Sequence, residues 1–251
     1  MPRLSPLPPL AFLAAAVALA PGAGAQPAPD APPAPRFGVL AGLNSATITG
    51  ENFFSDDVGV SQGRRNGVVG GVYLALPFGA SGLAFRPELL YAHKGTRYEA
   101  TFPLPPANGA AGTANARADV RLSYAELPLL LQYTAPTRGG VRPQLYAGPA
   151  LAVRAACRVE LRVTGGVSTS GETACDNLGD LLGEEDTPEL RRFDVGGVIG
   201  GAVAFDVGGR ALALGVRYTH GLVELAPDSD ARNRAVGVYG GVELPLARRP
   251  R

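Results

Sequence analysis

From Arg36 onward, apolar residues recur at every second position, the period of a strand with two unlike faces and not the 3.6 of a helix. Eight such segments are legible, at 36–47, 66–78, 83–98, 118–134, 141–154, 192–206, 210–221 and 234–246. Each is longer than the five or six residues, roughly, of a soluble strand and long enough for the nine to eleven, roughly, of a tilted membrane strand. In the second segment Val68, Val72, Leu74, Leu76 and Phe78 share one face. The fourth places Leu127, Leu129, Leu131 and Tyr133 together, with Glu126 and Gln132 opposite. Leu212, Leu214, Val216 and Tyr218 oppose Arg217 and Thr219 in the seventh, and Val236, Val238, Val242, Leu244 and Leu246 oppose Tyr239 and Glu243 in the eighth.

The connections alternate as well. Residues 79–82, 135–140 and 207–209 are tight turns after segments two, four and six. Long connections follow the odd-numbered segments, among them 50–65, 101–117 and the acidic stretch 173–190. Short turns at one end and long loops at the other predict an all-β fold: an eight-stranded antiparallel up-and-down transmembrane β-barrel with short periplasmic turns and long extracellular loops. Both barrel termini are then periplasmic. Such a barrel must close, because hydrocarbon offers no partner to an unpaired amide or carbonyl.

Apolar parity on the outside leaves Arg86, Glu88, Glu126, Arg154, Arg217 and Glu243 pointing inward. Three charges of each sign permit mutual pairing, which burial demands. A lumen this narrow is expected to be filled by its side chains and not to form an open pore. Inward glycines, such as Gly38, Gly200 and Gly215, leave room for bulky residues opposite. On the outer face Phe37, Phe78, Phe85, Tyr133 and Phe205 lie near the tight-turn ends, and Tyr91, Phe193 and Tyr218 near the long-loop ends. Two aromatic rims are expected where acyl chains meet headgroups.

Composition adjusts this picture at the chain's ends. Arg3, the apolar run Leu10 to Ala20 and the small residues Ala23-Gly24-Ala25 predict a signal peptide over 1–25. A proline-rich segment at 26–35 separates it from a barrel domain at 36–246, and 247–251 form a basic tail. No uninterrupted apolar stretch approaches the length, about eighteen residues, of a membrane helix. A net charge of +1 points to no nucleic-acid partner. Cys157 and Cys175, the two cysteines, are expected to form a disulfide in an oxidising compartment, the alternative being two free thiols.

Several motifs together resemble the PorT-like outer-membrane β-barrel proteins. Phe37-Gly38-Val39-Leu40-Ala41-Gly42-Leu43-Asn44 resembles their first strand, Arg86-Pro87-Glu88-Leu89-Leu90-Tyr91 followed by Lys94-Gly95 the third, and Tyr124-Ala125-Glu126-Leu127-Pro128 with Leu129-Leu130-Leu131 the fourth. Tyr146-Ala147-Gly148-Pro149 and Gly215-Val216-Arg217-Tyr218-Thr219-His220-Gly221 resemble the fifth and seventh. The resemblance covers the mature chain and implies an OmpA- or OmpX-type barrel in the outer membrane of a Gram-negative-type bacterium, but no shared activity. Tyr239-x-Gly241-x-x-Leu244-x-Leu246 resembles the insertion signal read by the barrel assembly machinery, although a basic tail follows where an aromatic terminus is usual.

The expected role is a structural or surface-interaction barrel, a monomer in outer-membrane lipid, with its lumen plugged by paired charges and its surface partner unknown. A narrow gated pore for small solutes or ions is the alternative, and a soluble lipocalin-like ligand-binding barrel a further one. An enzyme is not expected. The two histidines, His93 and His220, both face outward, and no G-x-S-x-G nucleophile elbow is expected. No cofactor or metal is expected, because Glu184, Glu185 and Asp186 lack calcium-loop spacing.

Overall fold

The computed structural model describes residues 33–50, 60–107, 110–136, 139–165, 168–175, 191–225 and 230–246. The signal peptide, most of the proline-rich segment, the basic tail and the acidic residues 184–186 lie outside them. Among the described residues nine strands follow one another: β1 (Arg36–Thr49), β2 (Val60–Pro77), β3 (Leu83–Ala107), β4 (Ala110–Thr134), β5 (Val141–Thr164), β6 (Thr169–Ala174), β7 (Phe193–Val207), β8 (Arg210–Gly221) and β9 (Arg232–Pro245). Every pairing is antiparallel. The order β4-β3-β2-β1-β9-β8-β7-β5 closes on itself through β4–β5, so eight strands form a ring, while β6 pairs only with the far end of β5.

The ring has a definite stagger. From Arg36 the ladder leads to Ala75 and, in the register of the flanking pairs, through Arg86, Leu130, Gly148, Val198, Thr219 and Ala235. It returns to β1 at Ala46, ten residues nearer the loop end than it began. With strands about 4.7 Å apart and about 3.3 Å per residue, eight strands and this stagger give a tilt of about 41°. That lies within the usual range for closed barrels.

Turn chemistry sets the near end. Gly208 and Gly209 both take positive φ, 56° and 80°, in the two-residue hairpin between β7 and β8. Turns of that kind match the twist of the strands they join. At the far end the strands are unequal. The three strands β3, β4 and β5 have 25, 25 and 24 residues, against 12 for β8 and 14 each for β1 and β9. Their surplus stands above the ring as a wall, which β2 and β6 extend on either side.

This wall corrects the expected boundaries. Of the span expected as a loop, 101–117, residues 101–107 and 110–117 are strand, with Thr101 opposite Asn115 and Leu104 opposite Gly112. Cross-strand ion pairs carry the ladder on where apolar alternation has faded: Arg97–Asp119 at 2.9 Å, Arg158–Glu172 at 3.2 Å, Arg117–Glu99 and Arg121–Glu160. One irregularity also escapes a period-two reading. Ser123 pairs with Ala156 and Tyr124 with Arg154, so Ala155 is an extra residue on β5. Such a bulge reverses the parity beyond it. Arg154 and Ala152 point inward below Ala155, whereas Cys157 and Val159 do so above.

Candidate functional site: the filled lumen

Parity decides what enters the ring. Leu145, Leu214, Leu43, Ile199 and Val216 are exposed on the outside, while Arg86, Glu88, Lys94, Glu126, Asp194, Arg217 and Glu243 are buried within. A soluble ligand-binding barrel has the opposite polarity, so the lipocalin-like reading fails on this arrangement.

The interior is layered. At the turn end Glu243 accepts hydrogen bonds from the Tyr73 hydroxyl (3.0 Å), Gln144 Nε2 (2.9 Å) and Arg142 Nη2 (3.0 Å). Arg36 stands 3.9 Å from the same carboxylate. Mid-barrel, Glu88 holds two guanidinium groups, Arg86 at 2.8 Å and Arg217 at 2.5 Å. Arg86 also donates to Gln132 Oε1 at 3.0 Å. Nearer the loop end Lys94 pairs with Glu126 at 2.5 Å. There Asn233 donates to both Asp194 (2.8 Å) and the Tyr124 hydroxyl (3.1 Å). Ile48, Leu122, Tyr124, Ala152, Leu225 and Ala231 form an apolar cluster at this level.

Tyrosine rings separate the charges and supply a second kind of contact. Arg86 lies over the Tyr73 ring at 3.9 Å and the Tyr146 ring at 4.8 Å, and Arg217 lies 5.8 Å from that of Tyr239. Each ring fits because its cross-strand neighbour has no side chain. A Cβ on Gly38 would fall 2.1 Å from Tyr73, one on Gly200 2.4 Å from Tyr146, and one on Gly215 2.5 Å from Tyr239.

Of the six charges expected inside, Arg86, Glu88 and Arg217 meet one another. Glu126 and Glu243 instead take partners the sequence reading did not name, Lys94 and the Arg142–Arg36 pair. Arg154 is half-buried and within electrostatic reach of Tyr124. Lys94 and Asp194 have the same parity as the charges already counted on or beside their strands, so strict alternation could have found both. Arg142 and Gln144 share the inward parity of Arg154 on β5. Cys157 and Cys175 are joined as a disulfide between the start of the upper part of β5 and the end of β6. All eight rim aromatics, Phe37, Phe78, Phe85, Tyr91, Tyr133, Phe193, Phe205 and Tyr218, lie on the outward parity of their strands or turns.

Among the described residues neither histidine meets a carboxylate, and His220 Nδ1 lies 3.5 Å from the Tyr218 hydroxyl and 3.3 Å from Arg234 Nε. Contrary to the expectation of no G-x-S-x-G elbow, the chain does carry that spacing once, as Gly59-x-Ser61-x-Gly63. Ser61 lies within β2, opposite Glu99, and its hydroxyl donates to the Glu99 carbonyl at 3.3 Å. It is therefore not the strand-to-helix elbow that exposes a nucleophile. Among the described residues, no three histidine, cysteine or acidic groups gather as a metal site.

A family model for the outer membrane protein beta-barrel domain matches residues 25–226. The chain belongs to that family. Its place is the outer membrane of a Gram-negative envelope, and its outward apolar surface faces lipid. Similar solved structures include Neisserial surface protein A (16% identity, TM-score 0.42, covering 84% of this chain and 97% of that one). OprG from Pseudomonas aeruginosa is 12% identical, with TM-score 0.42 and coverage of 86% and 98%. The outer membrane enzyme PagL is 13% identical, with TM-score 0.38 and coverage of 83% and 99%. No curated protein matches the chain.

Proposed function

We propose that this barrel is a non-conducting scaffold that presents a surface wall to the cell exterior. The observation that carries the reading is the mid-lumen triad: Glu88 between Arg86 and Arg217, all three buried, with tyrosines filling the space around them. An ion crossing the lumen would have to part buried, paired charges, at a cost of several kcal/mol. Layers above and below repeat the obstruction, Lys94 with Glu126 and Arg142 with Glu243.

The wall supplies the interaction surface. It is strand, stapled by Cys157–Cys175, and rich in cross-strand charge pairs, so it offers a partner an ordered face. In this reading the tight turns and both barrel termini are periplasmic, the wall and long loops are extracellular, and the aromatic rims are membrane girdles. Biogenesis runs through the barrel assembly machinery and yields a monomer. The PorT-like motifs on β1, β3, β4, β5 and β8 support placement near that group, and the protein acts without catalysis.

Planar-bilayer recording of the refolded protein tests the lumen. Silence across voltages is the expected result, and discrete current steps would establish the narrow gated pore instead. Protease treatment of intact cells tests the topology: cuts in the loops are expected, and cleavage only after permeabilisation would invert it.

A further inference from the structure

The chain has two histidines, and the ring sets them in equivalent places. His93 follows Tyr91 by two residues on β3, with the rings 5.2 Å apart edge to face. His220 follows Tyr218 by two on β8, with the rings stacked at 6.2 Å. Both pairs point outward at the loop-end limit of the apolar surface. Strands β3 and β8 are four places apart in a ring of eight, hence diametrically opposed.

Their heights agree too. The ladder runs from Tyr91 through Gly70, Ala41 and Gly240 to Leu214, half the circuit. Half of the ten-residue stagger is the descent of that path, so the level of Tyr91 on β8 lies five residues above Leu214, at Thr219. This is the residue between Tyr218 and His220. From Phe85 near the turn end to His93 is about 20 Å along the barrel axis at the tilt and rise given above, close to the height, about 25 Å, of an outer-membrane apolar band.

Each pair has an arginine beside it. Arg234 on β9 brings Nε to 3.3 Å from His220 Nδ1. Arg65 on β2 donates to the carbonyl of Lys94, next to His93, at 3.4 Å, and its charge acts on the His93 ring. Neither arginine lies within ion-pair distance of a carboxylate among the described residues, whereas Arg97, Arg117, Arg121, Arg158 and Arg162 of the wall all do. Two opposed sets of phenol, imidazole and guanidinium thus stand at the headgroup level, and the carboxylates that act on Arg65, Asp119 and Glu160, do so only at longer range while pairing with arginines of the wall.

We propose that these two sets, Tyr91–His93–Arg65 and Tyr218–His220–Arg234, bind phosphomonoester groups of the outer-leaflet glycolipid and fix the barrel's height in the membrane. Guanidinium donors suit phosphate oxygens, and phenol and imidazole N–H groups complete the donor set. The adjoining apolar faces, Leu89 and Phe85 below Tyr91 and Val216 and Leu214 below Tyr218, accept the acyl chains. The assignment rests on the loop end facing outward, the topology proposed above.

Two histidines make a two-signal experiment. The full barrel, labelled with 15N-histidine, is placed in phosphatidylcholine nanodiscs containing diphosphoryl lipid A, phosphatidylglycerol or no added lipid. Both imidazole signals are expected to shift with diphosphoryl lipid A and to stay put in the other two. R234Q should abolish the His220 response and leave that of His93, and R65Q should do the reverse. Unmoved signals with lipid A, equal shifts with phosphatidylglycerol, or loss of both responses in either variant would overturn the proposal. Nanodiscs expose both leaflets alike, so an inverted topology, read separately by protease on cells, leaves this result unchanged.

Discussion

Arginine–carboxylate pairs occur in two parts of this molecule, and they do different things. In the lumen Glu88 is 1% exposed and holds both Arg86 and Arg217. In the wall Arg117 and Glu99 are each 45% exposed at the side chain and meet across two strands that have left the ring behind. The chemistry is the same and the surroundings are not. A buried carboxylate that loses its charge strands two guanidinium groups away from water, whereas an exposed arginine that loses its partner is simply solvated. The first pairing specifies how the interior must fit; the second lends a strand ladder modest support.

The sharpest way to test the contrast is Glu88→Gln. It removes the central charge and leaves Arg86 and Arg217 facing each other, so a loss of about 3–5 kcal/mol is expected. Denaturant titration in lipid would measure it, with heat-modifiable electrophoretic mobility reporting whether the barrel still closes. A cost below that of a surface pair would abolish the distinction between the regions.

Next in size is the disulfide. Its cysteines are 18 residues apart, and closing a loop of that length is worth about 3 kcal/mol in the chain-entropy model. Because β6 pairs with β5 alone, the loss in a Cys157→Ser, Cys175→Ser double variant should stay in the wall. Amide exchange is expected to rise in 158–174 and to hold steady in β7, β8 and β9. Uniform loosening of the ring would show that the wall and the lumen share one cooperative unit.

Gly215→Ala probes the packing that separates the buried charges. The new methyl would meet the Tyr239 ring, at a cost of about 1–3 kcal/mol from overpacking. The smallest effect is expected for Glu99→Gln in the wall, within about 1 kcal/mol and vanishing as salt is raised. A salt-insensitive loss there would mean that the wall is more enclosed than its exposure indicates.

Much of the ring was legible because alternation has one physical cause throughout: lipid on one side of every strand and a crowded polar interior on the other. That logic located Arg86, Glu88, Glu126, Arg217 and Glu243 on the buried face. It faltered where the cause ceased. Above the apolar band the outward faces of β3, β4 and β5 carry Glu99, Thr101, Arg117 and Arg162 in place of leucine and valine, so the apolar alternation stops and the span reads as loop although cross-strand pairs continue the ladder. It also missed Lys94 as the partner of Glu126, since which inward residues meet depends on stagger and not on parity.

The linear chain by itself determined the class of fold, the ends at which strands turn, and the face that residues of the ring present below the bulge at Ala155, because these follow from local period and turn chemistry. Tertiary structure alone decided the rest. The ten-residue stagger brings Glu88 of β3 to Arg217 of β8 across the lumen, 129 positions away in the chain. The same stagger lifts His93 and His220 to one height on opposite sides. A pairing register is a relation between strands, and no single strand carries it.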